Sequence, residues 1–317
     1  MKKLFKLLFV ISLIASVLVG CSTGSEGNKN ESSGGDSKTT GKIGFSISTL
    51  NNPFFVSMAD GAKAKAKELG IELKIVDAGN DTAKQSTDIE DLITSGVDVL
   101  IVNPEDSAAV GPAIQSAIDK GIKVIAVDRT VEGATVDTYI GTDNVKAGEA
   151  VGEELLTILE EGTDIAILEG VPGASSAIDR HQGFLNSLKG NVNIVASQTA
   201  NYDRAEGMTV TENILQANPN IKAIVAANDE MALGAIEAII SSNKKPGEDI
   251  IVTGFDAGED AINSVKKGTM LFTVEQQTVK MGELAVENAL KMINGEEYES
   301  EVPIDVTLLD IKALENQ

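Results

Sequence analysis

Of the 26 basic residues in this 317-residue chain only those at 129, 180 and 204 are arginine, and an aspartate precedes each. Where lysine carries nearly all the positive charge, an arginine marks a place that needs a planar fork of fixed donors. Asp128 and Arg129 follow the apolar run Lys123-Val124-Ile125-Ala126-Val127, so both can address one ligand from a strand end. Arg180 closes a loop and helix start, Gly173 onward, while Arg204 opens a helix and suits a structural ion pair. Amides accompany these groups. A strand-like run ends in Asn103, and 25 residues later another ends in Asp128; the pattern returns with Asn228 and, 28 residues on, Asp256. Asn and Asp are also ordinary strand-ending residues. Their repetition as a pair points instead to two similar α/β halves whose sheet edges face one cleft.

Aromatic rings stand beside these groups in a chain with only 3% aromatics and no Trp. Asn52 is a good N-cap and Pro53 suits the first helical position, so a helix is expected to start there and to end at Gly70. Its buried stripe reads Phe55, Ala59, Ala62, Ala66 and Leu69, with Phe54 off the stripe. A strand-to-helix turn of this kind lies at the carboxyl edge of an α/β sheet, where ligands bind.

Catalysis finds little support. The single histidine, His181, reads as a surface residue, and no G-x-S-x-G elbow, P-loop or H-E-x-x-H occurs. The first strand lacks a G-x-G-x-x-G, which disfavours a dinucleotide, and no His or Cys cluster offers a metal site. No cofactor is expected. Asp128 and Asp256 could form a glycosidase pair, but their Asn and Arg neighbours are expected to hold both ionised. Asn, Asp, Arg and Gln beside aromatic rings suit a sugar. Each hydroxyl donates and accepts, and the C–H faces of the ring lie against aromatic faces.

The net charge of -22 disfavours nucleic acid as a partner. Residues 1–20, basic and then apolar, read as a secretory leader too short to span a membrane. Leu18-Val19-Gly20-Cys21 resembles the bacterial lipoprotein signal, in which the cysteine is lipidated. Cys21, the only cysteine, is therefore the expected lipid attachment point, followed by a flexible Gly/Ser-rich tether over 21–41. The expected location is extracytoplasmic, anchored to the cell membrane.

From Lys42 onward strands and helices alternate. Strands are expected over 42–48, 71–76, 97–102, 122–127, 137–141, 164–169, 192–197, 222–227, 249–255 and 270–276. Amphipathic helical runs lie between most of them, for example 83–95, 107–120 and 144–160. This is the pattern of parallel sheets with helical crossovers.

Specific runs then resemble a known family. They are Ser48-Thr49-Leu50-Asn51-Asn52-Pro53-Phe54-Phe55-Val56, Asn103-Pro104, Val127-Asp128-Arg129, Asp143-Asn144, Asn228-Asp229-Glu230-Met231-Ala232-Leu233-Gly234-Ala235 and Gly254-Phe255-Asp256. Over essentially all of 42–317 the chain resembles the ribose-binding proteins of bacterial ABC importers, in the type I periplasmic-binding-protein superfamily. The resemblance implies two doubly wound parallel-sheet α/β lobes joined by a three-crossover hinge, closing on ligand. The crossovers fall near Thr142, Gln276 and Asp305, giving lobes of 42–142 plus 277–305 and 143–276 plus 306–317. It further implies stacking rings at Phe54, Phe55 and Tyr202, where a Phe is usual at 202. Hydrogen-bonding groups are implied at Asn52, Asn103, Asp128, Arg129, Arg180, Asn228, Asp256 and Gln276. The implied ligand is a monosaccharide, D-ribose first. The implied partners are an ABC permease and, in a chemotactic role, a chemoreceptor, with the protein itself a monomer and no enzyme.

Other readings stay open. A lactose-repressor-type regulator shares the lobes but needs a basic helix-turn-helix where the leader and tether stand. A sugar-active enzyme would turn over its ligand. Within the binding class allose, galactose, xylose or a furanosyl signalling molecule are the alternatives.

Overall fold

A computed structural model describes residues 41–316; the expected leader, Cys21 and all but the last residue of the tether lie outside the described residues. Twelve strands and ten helices are described. The first sheet contains β1 (Lys42–Ile47), β2 (Glu72–Asp77), β3 (Val99–Val102), β4 (Lys123–Val127), β5 (Thr138–Gly141) and β11 (Glu301–Pro303). Its order is β11-β5-β4-β3-β1-β2, parallel throughout. The second contains β6 (Asp164–Glu169), β7 (Asn193–Thr199), β8 (Ala223–Ala226), β9 (Ile251–Thr253), β10 (Phe272–Glu275) and β12 (Thr307–Asp310), in the order β12-β10-β9-β8-β6-β7.

Both sheets repeat one doubly wound order, so each has a switch point beside its first strand, at β1/β3 and at β6/β8. All ten expected strands are present. Two were not foreseen, the edge strands β11 and β12, and β12 runs antiparallel on β10, with Asp310 opposite Phe272. The second lobe therefore departs from an all-parallel sheet at one edge.

Helix α1 (Pro53–Leu69) begins as the local chemistry demands, with the Asn52 side chain accepting from the Phe54 N–H at 2.9 Å and Gly70 left-handed at φ 71. Phe54 is buried as well as Phe55, because the second lobe covers the face of the helix that a single-helix reading leaves to solvent. The expected helices 83–95 and 144–160 settle as α2 (Thr82–Thr94) and α4 (Asn144–Leu156). The helix expected from 107 begins later, as α3 (Gly111–Asp119), because Asp106 Oδ1 accepts from the N–H groups of Ala108 and Ala109 and makes a turn first.

Apolar side chains cover both faces of the first sheet, Ile43, Phe45 and Ile101 on one and Leu100, Val102 and Val124 on the other. A single large cluster around Ile167, Val225 and Phe272 forms the core of the second lobe. The chain passes between the sheets three times: from β5 into α4, from β10 into α9 (Thr278–Asn294), and from β11 to β12. Helix α9 packs on α1 of the first lobe, and α4 packs on α5 (Ser175–Leu188) of the second. At the α4–α5 crossing Gly183 is required, since a Cβ there would collide with the Val145 carbonyl. That close approach brings Asn144 to Arg180.

Candidate functional site

The carboxyl ends of the strands of both sheets converge on one cavity, lined by Asn52, Phe54, Phe55, Asp128, Arg129, Ser176, Arg180, Tyr202, Asn228, Asp256 and Gln276. Its volume is about 20 Å³, room for a water-sized group. A wider cleft of about 620 Å³ shares Asn52, Phe54 and Asp256 with it. Ten of the eleven residues expected at the site line the cavity. Asn103 does not. Its Oδ1 accepts from the Ser48 hydroxyl at 2.7 Å and its Nδ2 donates to Asp128 Oδ2 at 2.9 Å, so it stands behind Asp128 and braces it. Gln276 does the same for the other carboxylate, donating from Nε2 to Asp256 Oδ1 at 2.7 Å.

The two aspartates sit on strained turns, Asp128 at φ 66 and Asp256 at φ 119, and Tyr202 is left-handed at φ 57. Non-glycine residues rarely adopt such angles, and they cluster where surrounding structure over-determines them, often at ligand sites. Gly170 makes room for Tyr202, because a Cβ on it would meet the phenol ring. The Tyr202 oxygen and Ser176 Oγ are 3.5 Å apart.

Each arginine is held differently. Arg129 donates from Nη1 to the Pro104 carbonyl at 2.7 Å, and its guanidinium carbon lies 5.1 Å from the Phe55 centroid and 5.7 Å from that of Tyr202. It thus sits near a ring from each lobe. Arg180 places Nε and Nη2 on Asn144 Oδ1 and Nη1 on the Ala227 carbonyl, with its guanidinium 3.5 Å from the Phe255 centroid. It lies within α5, the helix expected to start there. Arg204 pairs with Glu230 and Asp260 outside the cavity, the structural role expected of it. His181 is half-buried, 4.0 Å from Glu169.

The electrostatics correct one expectation. Burial pushes the Asp128 carboxyl up, against the opposing pull of Arg129 and Arg180. Burial also pushes Asp256 well above the usual carboxylate range; Arg180 opposes this and nearby Asp229 reinforces it. Arg and Asn neighbours do not hold the pair in the ordinary range, because desolvation of a fully enclosed carboxylate is the larger effect. Two buried polar atoms of the cavity wall, Arg129 Nε and Gln276 Oε1, have no hydrogen-bond partner among the described residues. Nor, among those residues, is any group of three or more His, Cys, Asp or Glu side chains arranged to hold a metal ion.

The model of the periplasmic binding protein domain family matches residues 43–297. The chain belongs to the periplasmic binding protein family. Among its relatives is the ribose import binding protein of Bacillus subtilis (strain 168), 43% identical over 97% of this chain and 99% of that one. A periplasmic solute-binding protein of an ABC transporter from Actinobacillus succinogenes 130z, solved with bound D-allose, superposes with a TM-score of 0.80 and 35% identity. That match covers 88% of this chain and 100% of the other. The Caulobacter myo-inositol-binding protein, solved with myo-inositol, gives 0.83 and 32% identity over 87% and 95% of the two chains.

In this periplasmic binding protein Ser176, in the first turn of α5, escaped the sequence reading, since one serine in a Gly/Ala/Ser run carries no pattern. Asp229 and Thr273, buried beneath the Asp256 turn, escaped it too. The repeat of strand, Asn, helix, strand, Asp pointed to the edges but not to what lies under them.

Proposed function

We propose that the protein is an extracytoplasmic solute-binding protein that captures D-ribose between its lobes and presents it to an ABC permease. The observation carrying this reading is the pair of partnerless buried atoms, one donor and one acceptor, in a cavity wall that also offers two carboxylates and two aromatic faces. A sugar hydroxyl supplies both a donor and an acceptor. The name of the 43% identical relative supports ribose within that class. A second reading is a larger polyol, D-allose or myo-inositol, supported by the ligands in the two similar solved structures.

In this reading Asn52, Phe54, Phe55, Asp128, Arg129, Arg180, Tyr202, Asn228, Asp256 and Gln276 contact the ligand, and Asn103 acts through Asp128. The parts 42–142 with 277–305 and 143–276 with 306–317 move as two bodies about the three crossings. Cys21 carries a lipid anchor ahead of the tether, the protein acts as a monomer, and no bond of the ligand is broken. Calorimetry of the soluble domain, residues 41–317, against pentoses, hexoses and inositols tests the reading. Tightest binding of D-ribose is expected; preference for allose or inositol selects the second reading, and no heat with any of them overturns both.

A further inference from the structure

The turn that carries Asp256 is gripped from beneath by a residue outside the ligand cavity. Over 255–258 the backbone holds Asp256 at φ 119 and Ala257 at φ 54, conformations that side-chain-bearing residues disfavour. Such a turn persists only if its surroundings hold it. Helix α7 (Asp229–Ser241) supplies the grip at its first residue. The Asp229 N–H donates to the Phe255 carbonyl at 2.8 Å, at one end of the turn. At the other end Gly258 N–H donates to Asp229 Oδ2 at 2.8 Å. Between them Thr273 on β10 donates its hydroxyl to Asp229 Oδ1 at 2.7 Å while accepting from the Ala257 N–H at 3.1 Å.

The Thr273 oxygen accepts from Ala257 and its hydroxyl proton is free to point at Asp229, whose ionised carboxylate accepts on both oxygens. An amide accepts on one only. Asp229 is buried and is not part of the cavity wall, though it lines the wider cleft beside it. Facing it around the wider cleft are Glu230, Asp256, Glu259, Glu275, Lys280 and Glu283, none of which bonds to its carboxylate among the described residues.

We infer that Asp229 is a positioning residue: through Thr273 and Gly258 its carboxylate holds the 255–258 turn in the conformation that presents Asp256 to the ligand. The inference rests on the reading of the cavity as a sugar site. Asp229→Asn and Thr273→Val are titrated with D-ribose, alone and in an Asp256→Ala background, with NMR titration for the weakest binders. Each is expected to lose affinity about tenfold when Asp256 is present and less than about twofold when it is absent, since contacting sites are non-additive. Thr273→Ser, which keeps the hydroxyl, is expected to bind as the unsubstituted protein does. Equal losses in both backgrounds would reduce Asp229 to a stabilising role and overturn the inference. Amide exchange without sugar supplies an independent arm. The Ala257 and Gly258 N–H groups are expected to exchange faster in Asp229→Asn, and unchanged rates overturn the grip. If the unsubstituted protein binds no monosaccharide, the sugar reading fails, while faster exchange still supports the grip.

Discussion

The guanidinium of Arg180 lies 3.5 Å from the centroid of the Phe255 ring, and its donors are divided between Asn144 on α4 and the Ala227 carbonyl after β8. One side chain thus ties together three segments of the second lobe at the cavity wall. A lysine is a point charge without a fork and cannot reach all of these acceptors. Arg180→Lys is expected to lose on the order of 2–3 kcal/mol of ligand binding. That corresponds to roughly a hundredfold in affinity. Calorimetry on protein with an unchanged circular dichroism spectrum checks this, and near-native affinity would remove Arg180 from the site.

Asp229 is pushed up to about 7 by burial, against the hydrogen bonds its carboxylate accepts from Thr273 and Gly258. A carboxyl raised in the folded state binds a proton that the unfolded chain has already released. Between the ordinary value of 3.8 and about 7, stability therefore falls as pH rises. The contribution is complete below the lower value and gone once pH passes the upper one. The sugar-free protein is expected to melt at a higher temperature at pH 5.5 than at pH 8. Self-repulsion in a chain of net charge -22 gives a slope of the same sign, so Asp229→Asn serves as the control. Its slope is expected to be shallower; identical slopes would show that Asp229 does not titrate in this range.

A run of hydrogen bonds joins the lobes without touching the cavity. Ser107 N–H donates to the Gly173 carbonyl at 2.9 Å, Ser175 N–H to Ser107 Oγ at 3.1 Å, and Thr130 N–H to Ser175 Oγ at 2.9 Å. Ser175→Ala leaves the Thr130 N–H without its acceptor and is expected to shift the protein toward an open form. A ligand shifts such an equilibrium only through better interaction with one state. Small-angle scattering is expected to show a smaller radius of gyration with saturating ribose, and a larger ligand-free radius for Ser175→Ala than for the unsubstituted protein. Scattering unchanged by sugar would exclude closure.

The proposed anchor is tested separately from binding. Cys21→Ser is expected to release the protein from the membrane fraction while leaving the affinity of its domain unchanged, because the tether separates the two. Fractionation of cells followed by calorimetry checks both halves. Finding all of the unsubstituted protein in the soluble fraction would end the anchor proposal.

The sequence by itself determined the elements and their boundaries where the causes are local. Asn52, Pro53 and Gly70 start and stop α1 through caps that need only neighbouring backbone. Strands such as β1, β3, β4, β6 and β8 showed as apolar runs because central strands of α/β sheets are buried on both faces. The doubled Asn and Asp placed chemistry at sheet edges, since strand ends are set by the same runs. The edge strands β11 and β12 were invisible, because Glu301–Pro303 and Thr307–Asp310 are largely exposed or half-buried and carry no continuous buried apolar run.

Tertiary structure decided what these edges meet. Asn103 and Asn228 end equivalent strands, yet one braces an aspartate from behind and the other lines the cavity. Arg180 and Asn144 meet only because α4 and α5 cross at Gly183. The upward shifts of Asp128 and Asp256 reverse what their Arg and Asn neighbours suggest in one dimension. Desolvation depends on how much of the other lobe covers a group, and no spacing along the chain encodes that.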